Sequence, residues 1–251
     1  MPSEESLFIN GEQSLIIEGR ITNTTGAVNR VLVSKSVSGD SEYNFEPINN
    51  AIVRLRHEET GDRETLELSG DGEYVLNSLF GIPENNYKLE VFYDDAMYES
   101  FEQMPSSPDI SLVTIKYQNS KPFEPGFYVS FTLKKRIDAI GYYKIEITLN
   151  DSILSGYGDL IIFEDRLFND IQFYKLPMAF NKSDTISVYI YAISENVYEY
   201  YMGLSKQTTN LFSNIQPPST NPDNNILPDV LGYFQASSVF SIDTVMPDSL
   251  E

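Results

Sequence analysis

The 251-residue chain contains no cysteine, no tryptophan and a single histidine, His57. Without cysteine there is no disulfide framework, no thiolate metal site and no thiol nucleophile. A lone histidine at the margin of a predicted strand reads as a partly exposed structural residue. It does not read as a member of a catalytic triad or of a multi-histidine metal site. The missing tryptophan removes the stacking platform that sugar hydrolases commonly use. No run of about 18 apolar residues occurs, so the sequence offers no membrane-spanning helix. The start, Met1 to Glu5, lacks the basic and apolar regions of a signal peptide. Positive charge is also scarce: 17 basic against 37 acidic side chains leave a net charge of −20. Such a field repels phosphate backbones and argues against nucleic acid as a partner. Its plain meaning is solubility; its sharper one is attraction of cations or of a basic partner surface.

What the chain does have is aromatic and apolar residues in alternation. Fifteen Phe and 17 Tyr accompany 41% apolar content, enough for two cores. Short alternating runs at residues 14–21, 28–35, 51–57, 65–68, 73–79, 87–93 and 97–101 are separated by turn residues. The turns include the stretches 59–62 (ETGD), 69–72 (SGDG) and 94–96 (DDA). Strands at this spacing with no helical period between them predict an antiparallel sandwich over residues 14–106. Residues 36–50 read as a long polar loop. Pro105 and Pro108 then mark a boundary where strand pairing stops. Charge shifts there too: carboxylates outnumber cations 21 to 7 up to Ile115, and 16 to 10 beyond it.

The second domain is expected over residues 107–251, with strands at 110–117, 127–133, 142–149, 158–163, 171–176, 185–193 and 231–242. One segment differs in period. Val197, Tyr200, Tyr201, Leu204, Thr208 and Leu211 fall at helical spacing, with Ser194 as N-cap and Glu195 in the first turn. This predicts an amphipathic helix over about 195–212, lying across a sheet of the second domain. The fold class is therefore all-β: two β-sandwich domains, the second with one amphipathic helix.

Chemistry-bearing patterns are few. The carboxylate pairs Glu58-Glu59, Asp94-Asp95 and Glu164-Asp165 are sequence neighbours, which a strand points apart, whereas glycosidase chemistry needs two carboxyls opposed across a cleft. Asp71 and Asp94-Asp95 sit in turns that could offer oxygen ligands to calcium. Turn chemistry explains them without an ion, and neither matches the spacing of an EF-hand loop. The stretch Gly156-Tyr157-Gly158 is a loop with no helix directly after it, so it is no phosphate-binding turn. Tyr198, Tyr200 and Tyr201 invite a binding role, set against simple packing of the helix. No catalytic, cofactor-binding or metal residue is assigned, and no cofactor is expected.

An ordered set of short motifs resembles a known family. It runs through residues 15–23 (LIIEGRITN), 50–55 (NAIVRL), 72–74 (GEY), 87–89 (YKL) and 98–100 (YES). It continues through 197–201 (VYEYY), Leu211-Phe212, Pro217-Pro218, Asn225 and 230–237 (VLGYFQAS). Together these resemble the Bacteroidota family of domain of unknown function 4249, from about Ser14 to Val239. The first half by itself resembles the carboxypeptidase-regulatory or transthyretin-like sandwich. The resemblance implies an outer-membrane lipoprotein, exposed at the cell surface and often encoded beside TonB-dependent transporters. The acylated cysteine and its signal are absent from this sequence, and the resemblance implies that they lie upstream and that residues 1–13, with their polar, acidic start, are the remnant of a tether. The expected function is a non-enzymatic binding or accessory subunit of an outer-membrane β-barrel protein, with contacts from loops 36–50, 150–158 and 213–229. The alternatives are a scaffold in an envelope assembly and, from another class, a carboxylate-based hydrolase. The small ligand, if there is one, is not identified by the sequence.

Overall fold

Most of the alternating runs are strand, although the run 73–79 keeps strand only at Glu73–Val75. The computed structural model describes residues 14–24, 29–37, 45–119, 121–122, 124–137, 139–154, 160–167, 170–209, 222–228 and 230–249, without the side chains of 206–209. In chain order the first strands are β1 (Leu15–Thr22), β2 (Arg30–Ser36), β3 (Phe45–Pro47), β4 (Ile52–His57), β5 (Arg63–Thr65), β6 (Glu67–Gly70), β7 (Glu73–Val75), β8 (Asn86–Tyr93) and β9 (Ala96–Gln103). There follow β10 (Ile110–Gln118), β11 (Gly126–Lys134), β12 (Tyr142–Leu149), β13 (Ser152–Ile153), β14 (Ile161–Glu164), β15 (Ile171–Lys175) and β16 (Thr185–Ile193). The chain closes with α1 (Glu195–Thr209), β17 (Ile226–Leu227) and β18 (Leu231–Val245). The fold is all-β and sandwich-like, with α1 as the helix among the described residues.

Two units divide the chain. Unit 1 joins the residues up to Ser106 with Ile193–Ser238, and unit 2 joins Ser107–Ala192 with the residues from Val239. The boundary after Ser106 falls at the expected prolines. The expected run of the second domain to the C-terminus does not hold, because the chain returns to unit 1 between Ile193 and Ser238. The physical reason is a parallel pairing of β18 with β1, with Ile17 opposite Gly232 and Ile21 opposite Ala236. Gly232 has φ of 97°, and a Cβ there would lie 2.1 Å from the Ile17 carbonyl oxygen, so this pairing demands glycine.

Unit 1 is a sandwich. One sheet runs β18-β1-β2-β7-β6, with β3 also on β2, and the other runs β17-β9-β8-β4-β5. Ile17, Ile21, Val31, Val33 and Phe234 from the first sheet meet Val53, Leu55, Tyr87, Leu89 and Val91 from the second in one buried cluster. Each such side chain stabilises the fold by roughly 1.5–3 kcal/mol. The run 65–68, read as one strand, instead changes sheets. β5 pairs with β4 and β6 with β7, while buried Leu66 between them donates its amide to the Val53 carbonyl. The expected loop 36–50 is also partly strand, since β3 pairs with residues 34–36 of β2.

The helix belongs to unit 1 as well. Ser194 caps it, its Oγ accepting the Val197 amide at 3.3 Å, and Glu195 stands in the first turn. Val197, Tyr200 and Tyr201 are buried. The two tyrosine rings pack on Tyr233 of β18, whose neighbours Phe234 and Ala236 enter the core cluster. α1 therefore covers the outer face of the first sheet. The strand period places Tyr233 opposite Phe234, which is why the helix seats there.

Unit 2 pairs a three-stranded sheet, β10-β11-β15, with β13-β12-β16-β18, and β14 also lies on β12. Phe127, Val129, Phe131 and Leu133 of β11 pack against Ile145, Ile147, Ile186, Val188 and Ile190. Four rings run through the core as near-parallel stacks: Phe131 on Tyr174, Tyr174 on Phe163 and Phe163 on Tyr143, with centroids 5.4, 4.7 and 5.3 Å apart.

Candidate functional site

The sequence-singled carboxylates are held by local structure. Glu58 pairs with Arg56 at 3.1 Å. Glu59 turns the other way, accepting the Asn86 backbone amide at 2.9 Å and its side-chain amide at 2.6 Å. Those hydrogen bonds, the backbone one first, hold its carboxyl below the usual carboxylate range. Asp94 and Asp95 have φ of 52° and 60° at the tip of the β8–β9 hairpin, the left-handed pair that a two-residue turn requires. Asp71, at φ 48°, turns β6 into β7. Among the described residues no three His, Asp or Glu side chains come together as metal ligands would. Gly156 to Gly158 lie outside the described residues.

His57 differs from expectation. Its alternation partners Val53 and Leu55 face the core, so the ring is buried rather than partly exposed. It meets Tyr87 edge-on, and Nδ1 accepts the Thr60 amide at 3.1 Å.

Three carboxyls among the described residues, hidden by composition among 37 acids, are buried: Asp184, which accepts the Asn181 amide at 2.7 Å and Asn150 Nδ2 at 2.9 Å, Asp165 and Glu102. Asp165 leaves its sequence neighbour Glu164 to pair with Arg166 at 3.4 Å and turns inward itself. It accepts the amides of Gly141 at 2.8 Å and Arg136 at 3.1 Å, and the Tyr143 hydroxyl lies 3.4 Å away. Burial pushes the Tyr143 phenol up to about 12. A Cβ on Gly141 would sit 2.4 Å from that hydroxyl and 2.5 Å from Asp165 Oδ2, so any larger residue there must displace these two buried side chains.

Glu102, on the inner face of β9, accepts Asn225 Nδ2 at 2.7 Å and bonds the Ser194 hydroxyl that caps α1. Burial raises its carboxyl above the usual range. The same Asn225 amide donates to the Phe234 carbonyl at 2.6 Å, and its oxygen accepts the Phe234 amide at 2.8 Å. Asn225 thus pairs with β18 as a backbone unit would, while β17 pairs with β9. All three carboxyls are engaged by donors of their own unit, and all three serve to join chain segments.

Large apolar side chains collect on two open sheet faces instead. In unit 1, Ile52, Met97, Phe101 and Leu227 are exposed on β4, β9 and β17. The charges among them neutralise one another. Lys88 contacts Glu99 and lies 3.0 Å from Glu90, its ammonium 5.1 Å from the Phe101 ring centroid. In unit 2, Leu112, Val113, Ile171 and Phe173 are exposed on the edge strands of the β10-β11-β15 sheet. Here the strands themselves carry Lys116, Lys134 and Lys175 and no carboxylate, while Asp109, just before β10, lies 3.8 Å from Lys134. Lys175 reaches across β11, 4.8 Å from the Tyr128 ring centroid and 3.3 Å from Gln118 Oε1.

The three helix tyrosines divide in their roles. Tyr200 and Tyr201 are packing residues, and burial raises the Tyr200 phenol. The Tyr201 hydroxyl lies against those of Tyr233 and, at 3.2 Å, Gln235 Oε1. Tyr198 is half-buried. Of the expected contact loops, residues 38–44, 155–159, 213–221 and 229 fall outside the described residues. The described part of the last, 222–228, is pinned by Asn225 and β17.

The chain belongs to the family described as Domain of unknown function (DUF4249), whose family model matches residues 3–243. Among curated proteins none matches the chain.

Proposed function

We propose, taking membership of that family as the premise, that the protein is a non-enzymatic binding or accessory subunit of an outer-membrane β-barrel partner such as a TonB-dependent transporter. A lipid anchor holds it at the cell surface in this reading. The observation that carries the binding role is the pair of open sheet faces with large apolar side chains, one in each unit. Surfaces of that kind cost solvation unless a partner covers them, whereas the buried carboxyls Glu102 and Asp165 are consumed in joining segments. The location rests on the lipoprotein character that the family resemblance implies.

Having two such faces also favours a second reading, a scaffold that holds two envelope proteins at once. Metabolic labelling of the native gene product with an alkyne palmitate, followed by membrane fractionation and formaldehyde crosslinking, tests both. Label, outer-membrane recovery and a one-to-one adduct with a β-barrel protein are expected. Recovery in the cytosol without label overturns the location, and a three-protein adduct favours the scaffold.

A further inference from the structure

Resting on the reading as a binding subunit, we propose that the free edge of β15 accepts an extended, acidic strand from the partner protein. The hydrogen-bond parity of β15 fixes which groups face outward. Leu176 donates to Val129 and Lys135 to the Asp170 carbonyl, within one antiparallel register that also pairs Phe131 with Tyr174 and Leu133 with Gln172. Even-numbered residues 170 to 176 therefore point their backbone groups at β11. Ile171 and Phe173 point their N–H and C=O groups away from it, where the Phe173 carbonyl accepts only the exposed Gln172 side-chain amide, at 3.0 Å, a local bond that an incoming strand would displace. Among the described residues no strand pairs with that side of β15.

The two outer edges of this sheet are not equivalent. On β10 the register shifts between Ser111 and Thr114, and Leu112 adopts φ of 48°, a bulge that spoils the edge for further pairing. β15 keeps an unbroken register and contains no proline. The residues with outward backbone are also those with outward side chains: Ile171 is 63% and Phe173 55% exposed. An added strand would thus find hydrogen bonds and apolar contacts at the same two positions, the combination that strand addition uses.

Charge selects the chemistry of that strand. Lys134 stands opposite Ile171 and Lys175 opposite Ser130, and none of the three strands carries a carboxylate although the chain's net charge is −20; the exposed pair of Lys134 with Asp109, 3.8 Å apart, is loose enough to be exchanged for a carboxylate of the incoming strand. An alternating segment with apolar residues over Ile171 and Phe173 and carboxylates toward the lysines complements this face. An anionic lipid surface would satisfy the lysines but leave the outward N–H and C=O groups unused.

The test titrates the full chain with a fluorescein-labelled nonapeptide of alternating Val and Glu, its Val/Lys counterpart, and phosphatidylglycerol vesicles. The Val/Glu peptide is expected to bind, more weakly at high salt, and to slow amide exchange at Ile171 and Phe173. Phe173→Pro removes one outward N–H without breaking a ladder bond, and should weaken binding about tenfold or more. Lys134→Glu should weaken it severalfold with unchanged circular dichroism. A folded Phe173→Pro variant that binds like the parent overturns the inference. So does equal affinity for the Val/Lys peptide, or binding to vesicles alone. Should Phe173→Pro misfold, unchanged exchange at Ile171 and Phe173 in the parent overturns it equally. Peptide binding at β15 by a protein that proves unlabelled and cytosolic removes the lipoprotein reading only. A lipid-labelled protein indifferent to Phe173→Pro removes this inference only.

Discussion

Glu102 is a residue whose position runs against its own solvation. A carboxyl on the core side of β9 persists because Asn225 and Ser194 supply donors to it. Burial raises its pKa, so the native state holds this proton more tightly than the unfolded chain does. Stability from this group is full below the ordinary value of 4.5 and is lost as pH rises through the raised native value. Glu102→Gln keeps an acceptor for Asn225 but cannot ionise. The melting temperature of the variant relative to the parent is therefore expected to climb between pH 4 and pH 8. A difference that is flat, or that falls with pH, counts against the assignment. Local sequence hides this residue. Along β9 an apolar-in reading would bury Met97 and Phe101, yet both are exposed while Ser100 and Glu102 are buried. Lys88 above the Phe101 ring and an asparagine 123 positions along from Glu102 decide the matter, and neither lies within any window of alternation.

At the scale of elements, most strands were legible because their partners are sequence neighbours and one face is clean. β16 and β12 fall where alternation puts them, and Ile186, Val188, Ile190 and Ala192 are fully buried. The start of α1 was legible from Ser194 and Glu195, since caps are local chemistry. β3, β5 and β17 were not, because strands of two or three residues have no period to detect. What fastens α1 and β17 is the seam made by Ser194, Glu102 and Asn225. Ser194→Ala should cost about 1 kcal/mol, the ordinary loss of a cap. Asn225→Ala should cost more, roughly 2–4 kcal/mol, because it strips one side-chain donor from buried Glu102 and leaves the Phe234 amide and carbonyl without this partner. Urea unfolding of the two variants checks the order, and equal losses would show that the seam is not a unit.

At the scale of the molecule, the question is why the boundary was readable and the return was not. Pro105 and Pro108 interrupt pairing locally, and the division after Ser106 follows them. Nothing local in residues 231–238 says that they lie beside β1, because a parallel neighbour can be any distance away in sequence. The strand itself was legible; its address was not. The same gap explains why the candidate surface on β15 escaped the sequence: exposure of Ile171 and Phe173 depends on β15 being an edge. The return carries a consequence for stability. Phe234, Val230 and Ile226 are all core residues of unit 1 supplied from beyond Ile193. At roughly 1.5–3 kcal/mol each, they contribute about 5–9 kcal/mol, comparable with the whole stability of an ordinary domain, about 5–15 kcal/mol. Removing β18 also leaves β1 as an unprotected edge. A fragment of residues 14–104 is therefore expected to show no cooperative thermal transition, whereas residues 14–106 joined by a Gly/Ser linker to 193–238 should unfold cooperatively with a β-type circular dichroism spectrum. Cooperative unfolding of the shorter fragment would show that the first nine strands suffice without β18, and would restore the simple two-domain division at Ser106.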